Sequence, residues 1–209
     1  MTGKKAGSAA SFVPEGADLA ALRRAAASCE GCHLHAPATQ TVFGAGPPDA
    51  RLVLVGEQPG DVEDREGEPF VGPAGRLLDK ALAETGLDRA GVYLTNAVKH
   101  FKFEERGKRR IHKSPARGEV VACLPWLEAE LAQVEPDLVV CLGATAAKAV
   151  LGTSSKVTEQ RGRLQHVGEQ AVIATVHPSA ILRAPDRDEA YRGFVADLRV
   201  VHDHLYAST

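Results

Sequence analysis

Four short apolar runs recur along the chain: RLVLVG at 51–56, VYLTNAV at 92–98, DLVVCLG at 137–143 and AVIATV at 171–176. They are close to continuous rather than alternating with polar residues, which is the pattern of strands buried on both faces. Each is followed by a stretch of helical character, at 72–86, 117–134, 143–152 and 188–206 respectively. In the last of these, apolar residues return at three- and four-residue spacing. Pro125 falls inside the second and predicts a kink or a break there. The alternation of strand and helix predicts an α/β domain with a mainly parallel sheet and helices on both faces. The segment GRLQHVGEQAV, at 162–172, predicts an added hairpin.

The chain has 209 residues, 44% hydrophobic and 25% charged, with a net charge of -2. That suits a single soluble domain, placed at 12–209, with a sizeable core. Residues 1–11, rich in Gly, Ser, Ala and Lys, read as a disordered tail. No apolar run approaches the ~18 residues of a membrane helix, and no signal peptide is evident. The expectation is a cytoplasmic monomer in a reducing setting, where four cysteines serve as metal ligands or buried thiols rather than disulfides.

Charge is unevenly distributed. From Lys99 to Arg117 there are eight Lys or Arg against two Glu, a segment basic enough to meet a polyanion. Three polar motifs follow strand ends: GEQPGDVED after the first, NAVKH at the second and HPSA after the last. Open α/β sheets build their sites beyond such ends, so the three predict one shared site. Cys29 and Cys32 form a Cys-x2-Cys knuckle that lets two thiolates reach one metal centre. Cys123 is a third ligand on the 117–134 helix, and the fourth is His100 or Cys141. Cys141 lies in an apolar strand, where a thiol usually packs as a small hydrophobe. His33 and His35 read as surface or packing residues.

Together GEQPG, GEPFVGPAGRLL, TNAVKH, ACLPWL, PDLVVCLGATA and HPS resemble the uracil-DNA glycosylase superfamily, in its iron-sulfur type 4 branch. Gln58, His100 after NAVK and the inserted KRRIHKSP loop resemble the UdgX subgroup most. The resemblance implies a three-layer α/β/α fold with a four-stranded, mainly parallel central sheet. It also implies excision of uracil from DNA and a covalent bond to the resulting abasic-site sugar. It selects His100 as the fourth ligand and a [4Fe-4S] cluster as the cofactor, where three thiolates and an imidazole would by themselves also suit zinc.

The implied site follows from what extracting a base requires. Phe70 stacks on uracil, Asn96 reads its N3–H and O4 edge, Gln58 adds a contact, and His177 near O2 stabilises the developing negative charge. His112 is the nucleophile at the sugar, with Glu57 as its carboxylate partner. Asp61 and Asp64 orient the loop or a water. Lys108, Arg109, Arg110 and Lys113 hold DNA phosphates. Two other readings stay open: a conventional hydrolytic type 4 glycosylase, and a non-enzymatic module that binds uracil or abasic sites in DNA.

Overall fold

The computed structural model describes residues 7–152 and 157–206. Its strands are β1 (Leu52–Gly56), β2 (Val92–Asn96), β3 (Phe103–Arg106), β4 (Arg109–His112), β5 (Leu138–Leu142), β6 (Leu164–Val167) and β7 (Gln170–Thr175). The helices are α1 (Leu19–Ala26), α2 (Asp61–Glu66), α3 (Pro73–Glu84), α4 (Arg117–Val134), α5 (Ala144–Leu151), α6 (Val157–Gln160), α7 (Pro178–Leu182) and α8 (Arg187–Tyr206). The main sheet runs β2-β1-β5-β7-β6, parallel except for β6 against β7. It therefore has five strands rather than four, because the hairpin expected around 162–172 adds β6 to the sheet edge beside β7.

Pleat alternation divides the sheet's apolar residues between two cores. Leu52, Leu54 and Leu138 face α3 and α8, packing with Leu78, Leu82, Phe194 and Leu198. Val53, Val55 and Val139 face the other way, toward Leu127 of α4 and Ala146 and Ala147 of α5. The result is a three-layer α/β/α sandwich. A third core gathers Leu22, Cys29, Leu34, Phe43, Cys123 and Trp126, so the N-terminal segment packs on α4 rather than on the sheet.

Two sequence expectations need correction. Of the segment expected to be disordered, Ala9–Ser11 form a 3-10 turn with Ala9 buried, and residues 1–6 lie outside the described residues. Of the kink or break expected at Pro125, the break is absent: helix α4 runs through it from Arg117 to Val134. The basic segment is an antiparallel hairpin, β3–β4, turning at Gly107, whose φ of +60° lies in the left-handed region that glycine enters most readily.

Candidate active site

A cavity of about 380 Å³ opens beyond the carboxyl ends of β1, β2 and β7. Gln58, Phe70, Asn96, His112 and His177 all line it. The three strand-end motifs therefore meet in one place. Gly56 makes the cavity floor possible: a Cβ there would collide with Asn96 Oδ1 and come within 2.6 Å of the Phe70 ring. Asn96 is buried, and among the described residues its carboxamide makes no hydrogen bond, which leaves donor and acceptor for a ligand. Phe70 has a φ of 59°, sparsely populated for a bulky residue, and its ring stacks beside His177 at 6.1 Å and 27°. Such strain recurs where the surroundings over-determine a functional side chain.

His177 caps α7. Its Nδ1 accepts from Ser179 N at 3.1 Å, so a neutral ring carries its proton on Nε2. Burial, with smaller contributions from His112 and Arg183, pushes the ring's pKa down to about 4. At neutral pH His177 is thus an uncharged Nε2–H donor.

His112 ends β4 and is half-exposed, its ring tilted against Phe101. Burial lowers its pKa, assisted by Arg183 and opposed by Glu57, so its ring is neutral near pH 7. Glu57 Oε1 lies 3.7 Å from His112 Nε2, within ion-pair range but too long for a hydrogen bond. The other carboxylate oxygen accepts from Thr145 Oγ1 at the start of α5. Thr145 carries no catalytic signature in the sequence; only its place after the third strand hints at it.

Hairpin register decides what each basic residue does. Phe103 pairs with His112 and Glu105 with Arg110, so Arg110 and His112 share one face while Arg109 points to the other. Arg110 is turned inward. Its guanidinium binds Asp61 Oδ1 at 2.5 Å and Asp64 Oδ2 at 2.6 Å and lies over Phe101 and Phe103. Burial raises the Asp61 pKa, but the hydrogen bonds from Arg110 and Arg65 outweigh it and leave the group below its usual value. Arg110 is therefore largely buried and ion-paired to Asp61 and Asp64 rather than presented on the exposed face of the hairpin. Lys113 pairs with Glu104 at 2.6 Å. Among the described residues Lys108 and Arg109 have no ion-pair partner.

Gln58, expected at the base, is committed elsewhere. Its amide nitrogen donates to Lys102 O at 3.2 Å and Lys113 O at 3.1 Å, and its oxygen accepts from Lys102 N at 3.2 Å. It clasps both roots of the hairpin while still lining the cavity. Glu119 holds the Lys102 root from behind, accepting from Lys102 Nζ at 2.8 Å; it also accepts from Ala116 N at 2.5 Å, capping its own helix α4, and faces His33 Nε2 at 3.1 Å.

The candidate metal ligands lie in the third core. Cys29, Cys32 and Cys123 are free thiols. Cys29 Sγ accepts from Trp126 Nε1 at 3.2 Å and Gly31 N at 3.5 Å, and Cys123 Sγ accepts from Lys99 N at 3.3 Å. Burial raises the pKa of Cys32 and pushes Cys123 up to about 12, so a bound cation is needed to hold them as thiolates. N–H groups aimed at sulfur suit that anionic state. His100 is buried, with a pKa pushed down to about 4 by burial and then by His35, against Asp64. Its Nε2 bonds Thr41 Oγ1 at 2.9 Å, and that hydroxyl donates onward to Ala26 O at 2.8 Å. Nδ1 is left with the lone pair a metal would use. Among the described residues no three such donors converge as a single-ion site. Cys141 sits in β5 within the apolar sheet core, apart from these thiols.

No helix among the described residues is long and apolar enough to cross a membrane. Residues 43–199 match the family described as the uracil DNA glycosylase superfamily. The chain is 41% identical over 157 residues to a type-4 uracil-DNA glycosylase of Thermotoga maritima, covering 74% of this chain and 78% of that protein. It is 38% identical over 172 residues to the type-4 enzyme of Archaeoglobus fulgidus, covering 78% and 83%. A type-5 uracil-DNA glycosylase of Pyrobaculum aerophilum is 31% identical over 150 residues, covering 64% and 63%. With a matched segment that contains the sheet, the cavity and the hairpin, the chain belongs to the uracil DNA glycosylase superfamily.

Proposed function

We propose that the protein excises uracil from DNA and then captures the abasic-site sugar through His112, as in the UdgX subgroup it resembles. The type-4 names of its relatives support excision. One observation carries capture: the neutral His112 ring opens onto the same cavity as Phe70, Asn96 and His177.

An extruded uracil enters the cavity, stacks on Phe70 and pairs its N3–H and O4 with the Asn96 carboxamide. The bond between C1′ and uracil N1 breaks, and its electron pair leaves with the base. His177 Nε2–H donates to uracil O2, where charge accumulates; a positioned donor of this kind contributes roughly 3–4 kcal/mol. The sugar is left as an oxocarbenium ion. The imidazole lone pair of His112 attacks C1′ and forms a C–N bond. The resulting imidazolium lies beside Glu57, whose charge stabilises it. Its N–H proton is lost to solvent while the uracil anion takes one up, so the exchange is balanced.

Cys29, Cys32, Cys123 and His100 would hold a [4Fe-4S] cluster. A single tetrahedral ion needs its donors within about 2.0–2.3 Å of one point, whereas a cubane takes one donor at each of four separate irons. The cluster supplies cross-linking of the N-terminal knuckle to α4 and the hairpin root. Lys108 and Arg109 face DNA phosphates.

Incubation with a uracil-containing oligonucleotide tests this reading. Capture yields free uracil and a denaturation-resistant adduct whose peptide maps to His112. His112→Ser abolishes the adduct and retains uracil release, since serine lacks the ring nitrogen and leaves room for water. Free uracil without an adduct in the parent protein means conventional hydrolysis. Neither product means a DNA-binding module.

A further inference from the structure

Behind Asn96 lies a buried charge that the mechanism does not use. Lys99 and Glu130 form an ion pair in which both side chains have 0% exposure. Taking two charges out of water is costly, and apolar residues of similar volume are often as stabilising or more so. The pair therefore calls for a reason beyond stability, and its geometry supplies one. Lys99 Nζ donates to Glu130 Oε2, to Thr95 Oγ1 at 2.6 Å and to the backbone carbonyl of Asn96 at 2.8 Å. Three ammonium protons meet three acceptors. Glu130 is also fully engaged, accepting from Gly44 N at 2.8 Å, Tyr93 Oη at 3.0 Å and Thr95 Oγ1 at 2.9 Å.

β2 is an edge strand and Asn96 its last residue, where the ladder runs out. The peptide joining Asn96 to Ala97 is gripped at both ends. Its N–H donates to Gly56 O at 2.9 Å, and its C=O accepts from Lys99 Nζ. Fixing that plane fixes ψ of Asn96, and with it the direction in which the carboxamide enters the cavity. The next amide, Val98 N, donates to Glu57 O at 3.0 Å, so the same turn is tied to the residue beside His112.

We propose that Lys99, held by Glu130, is a positioning residue that aims Asn96 at the base; this rests on the base-reading role given to Asn96 above. It touches neither uracil nor sugar. Its effect passes through one peptide plane, and a displacement of about 1 Å in a group that contacts substrate costs roughly a hundredfold in rate.

The test is a rate cycle. Lys99→Met alone would strand the Glu130 carboxylate, so the exchange is Lys99→Met with Glu130→Gln, which removes both charges and leaves an amide for Gly44, Tyr93 and Thr95. The readout is single-turnover release of free uracil from a single-stranded oligonucleotide, at saturating protein and as a function of protein concentration. The exchange slows release at saturation by about tenfold to a hundredfold and leaves the half-saturating concentration within about twofold. In an Asn96→Ala background the same exchange costs nothing further, because its route to the base is already gone; a purely structural role would be additive. Lys99→Gln with Glu130→Gln, which restores a donor near the Asn96 carbonyl, recovers part of the rate and serves if the methionine pair does not fold. Parent-like release in the exchanged protein, or losses that add to Asn96→Ala, overturns the proposal. An Asn96→Ala protein as fast as the parent overturns the base-reading role itself, and this proposal with it.

Discussion

Single hydrogen bonds decide the chemistry of the site's titratable residues. His177 is committed to one tautomer by the amide of Ser179 and kept neutral by burial. An unfolded histidine titrates near 6.5, whereas this one titrates at about 4. Because its folded-state pKa is depressed, its contribution to stability is present above pH 6.5. That contribution is lost as pH falls from 6.5 through about 4, up to about 3 kcal/mol by linkage. Denaturant midpoints at pH 7 and pH 4.5 check this: His177→Gln should lose less stability on acidification than the parent. Thr145 is a second case. Its hydroxyl holds one oxygen of Glu57 and leaves the other toward His112. Hydrogen bonds to charged groups contribute about 1.5–3 kcal/mol, so Thr145→Val should slow adduct formation by roughly tenfold or more. Uracil release should change less, and Thr145→Ser should restore capture. Equal loss of both activities in Thr145→Val would contradict a role through Glu57. Asn96, His112 and His177 are legible in the sequence because they end or follow apolar strands or stand in a basic run. Thr145 and Lys99 are not, since a threonine in a helix turn and a lysine in a basic run look like solvated residues until the fold encloses them.

At the scale of elements, the hairpin β3–β4 turns a cluster of cations into two functional faces. Its strands, FEER and RRIH, carry few of the β-branched and aromatic residues that mark strands, so the sequence shows a basic loop and hides the alternation. Once the two-residue period is imposed, Arg110 faces Asp61 and Asp64 and Arg109 faces away. Lys99, Lys102, Arg106 and Lys113 are also in ion pairs, so the basic run is less free than its composition suggests. Neutralising a phosphate contact reduces the log–log salt slope of binding by about one. Lys108→Gln and Arg109→Gln should each flatten the slope for an undamaged oligonucleotide by up to about that amount. Arg110→Gln should leave the slope unchanged and slow adduct formation, because losing its ion pairs frees the strand that carries His112. Fluorescence anisotropy across a salt series, beside adduct gels, separates the two faces; a flattened slope in Arg110→Gln would place that side chain on DNA.

On the scale of the whole molecule, stability is divided between a sheet with two apolar cores and a smaller N-terminal core around the candidate ligands. The four parallel strands β1, β2, β5 and β7 are legible in the sequence because burial on both faces leaves near-continuous apolar runs; β6 is less so, an edge strand with exposed Leu164 and Val167. The third core has no such pattern: its residues come from scattered turns and one face of α4, joined by a knuckle rather than by periodicity. If Cys29, Cys32, His100 and Cys123 bind a cluster, the purified protein contains iron and absorbs visible light, and Cys141→Ala leaves both unchanged. Removing the metal raises the cost of keeping buried thiols together and releases the knuckle beside His33, whose ring faces Glu119. Glu119 in turn holds Lys102 at one hairpin root and caps α4 through Ala116 N, where the chain leaves the hairpin. Amide hydrogen exchange after metal removal should therefore lose protection from residues 19–44 and through 102–116, while β1, β5 and β7 stay protected. Stoichiometric zinc in a colourless protein would overturn the cluster, and uniform loss of protection across the sheet would show that the N-terminal core and the sheet unfold as one unit.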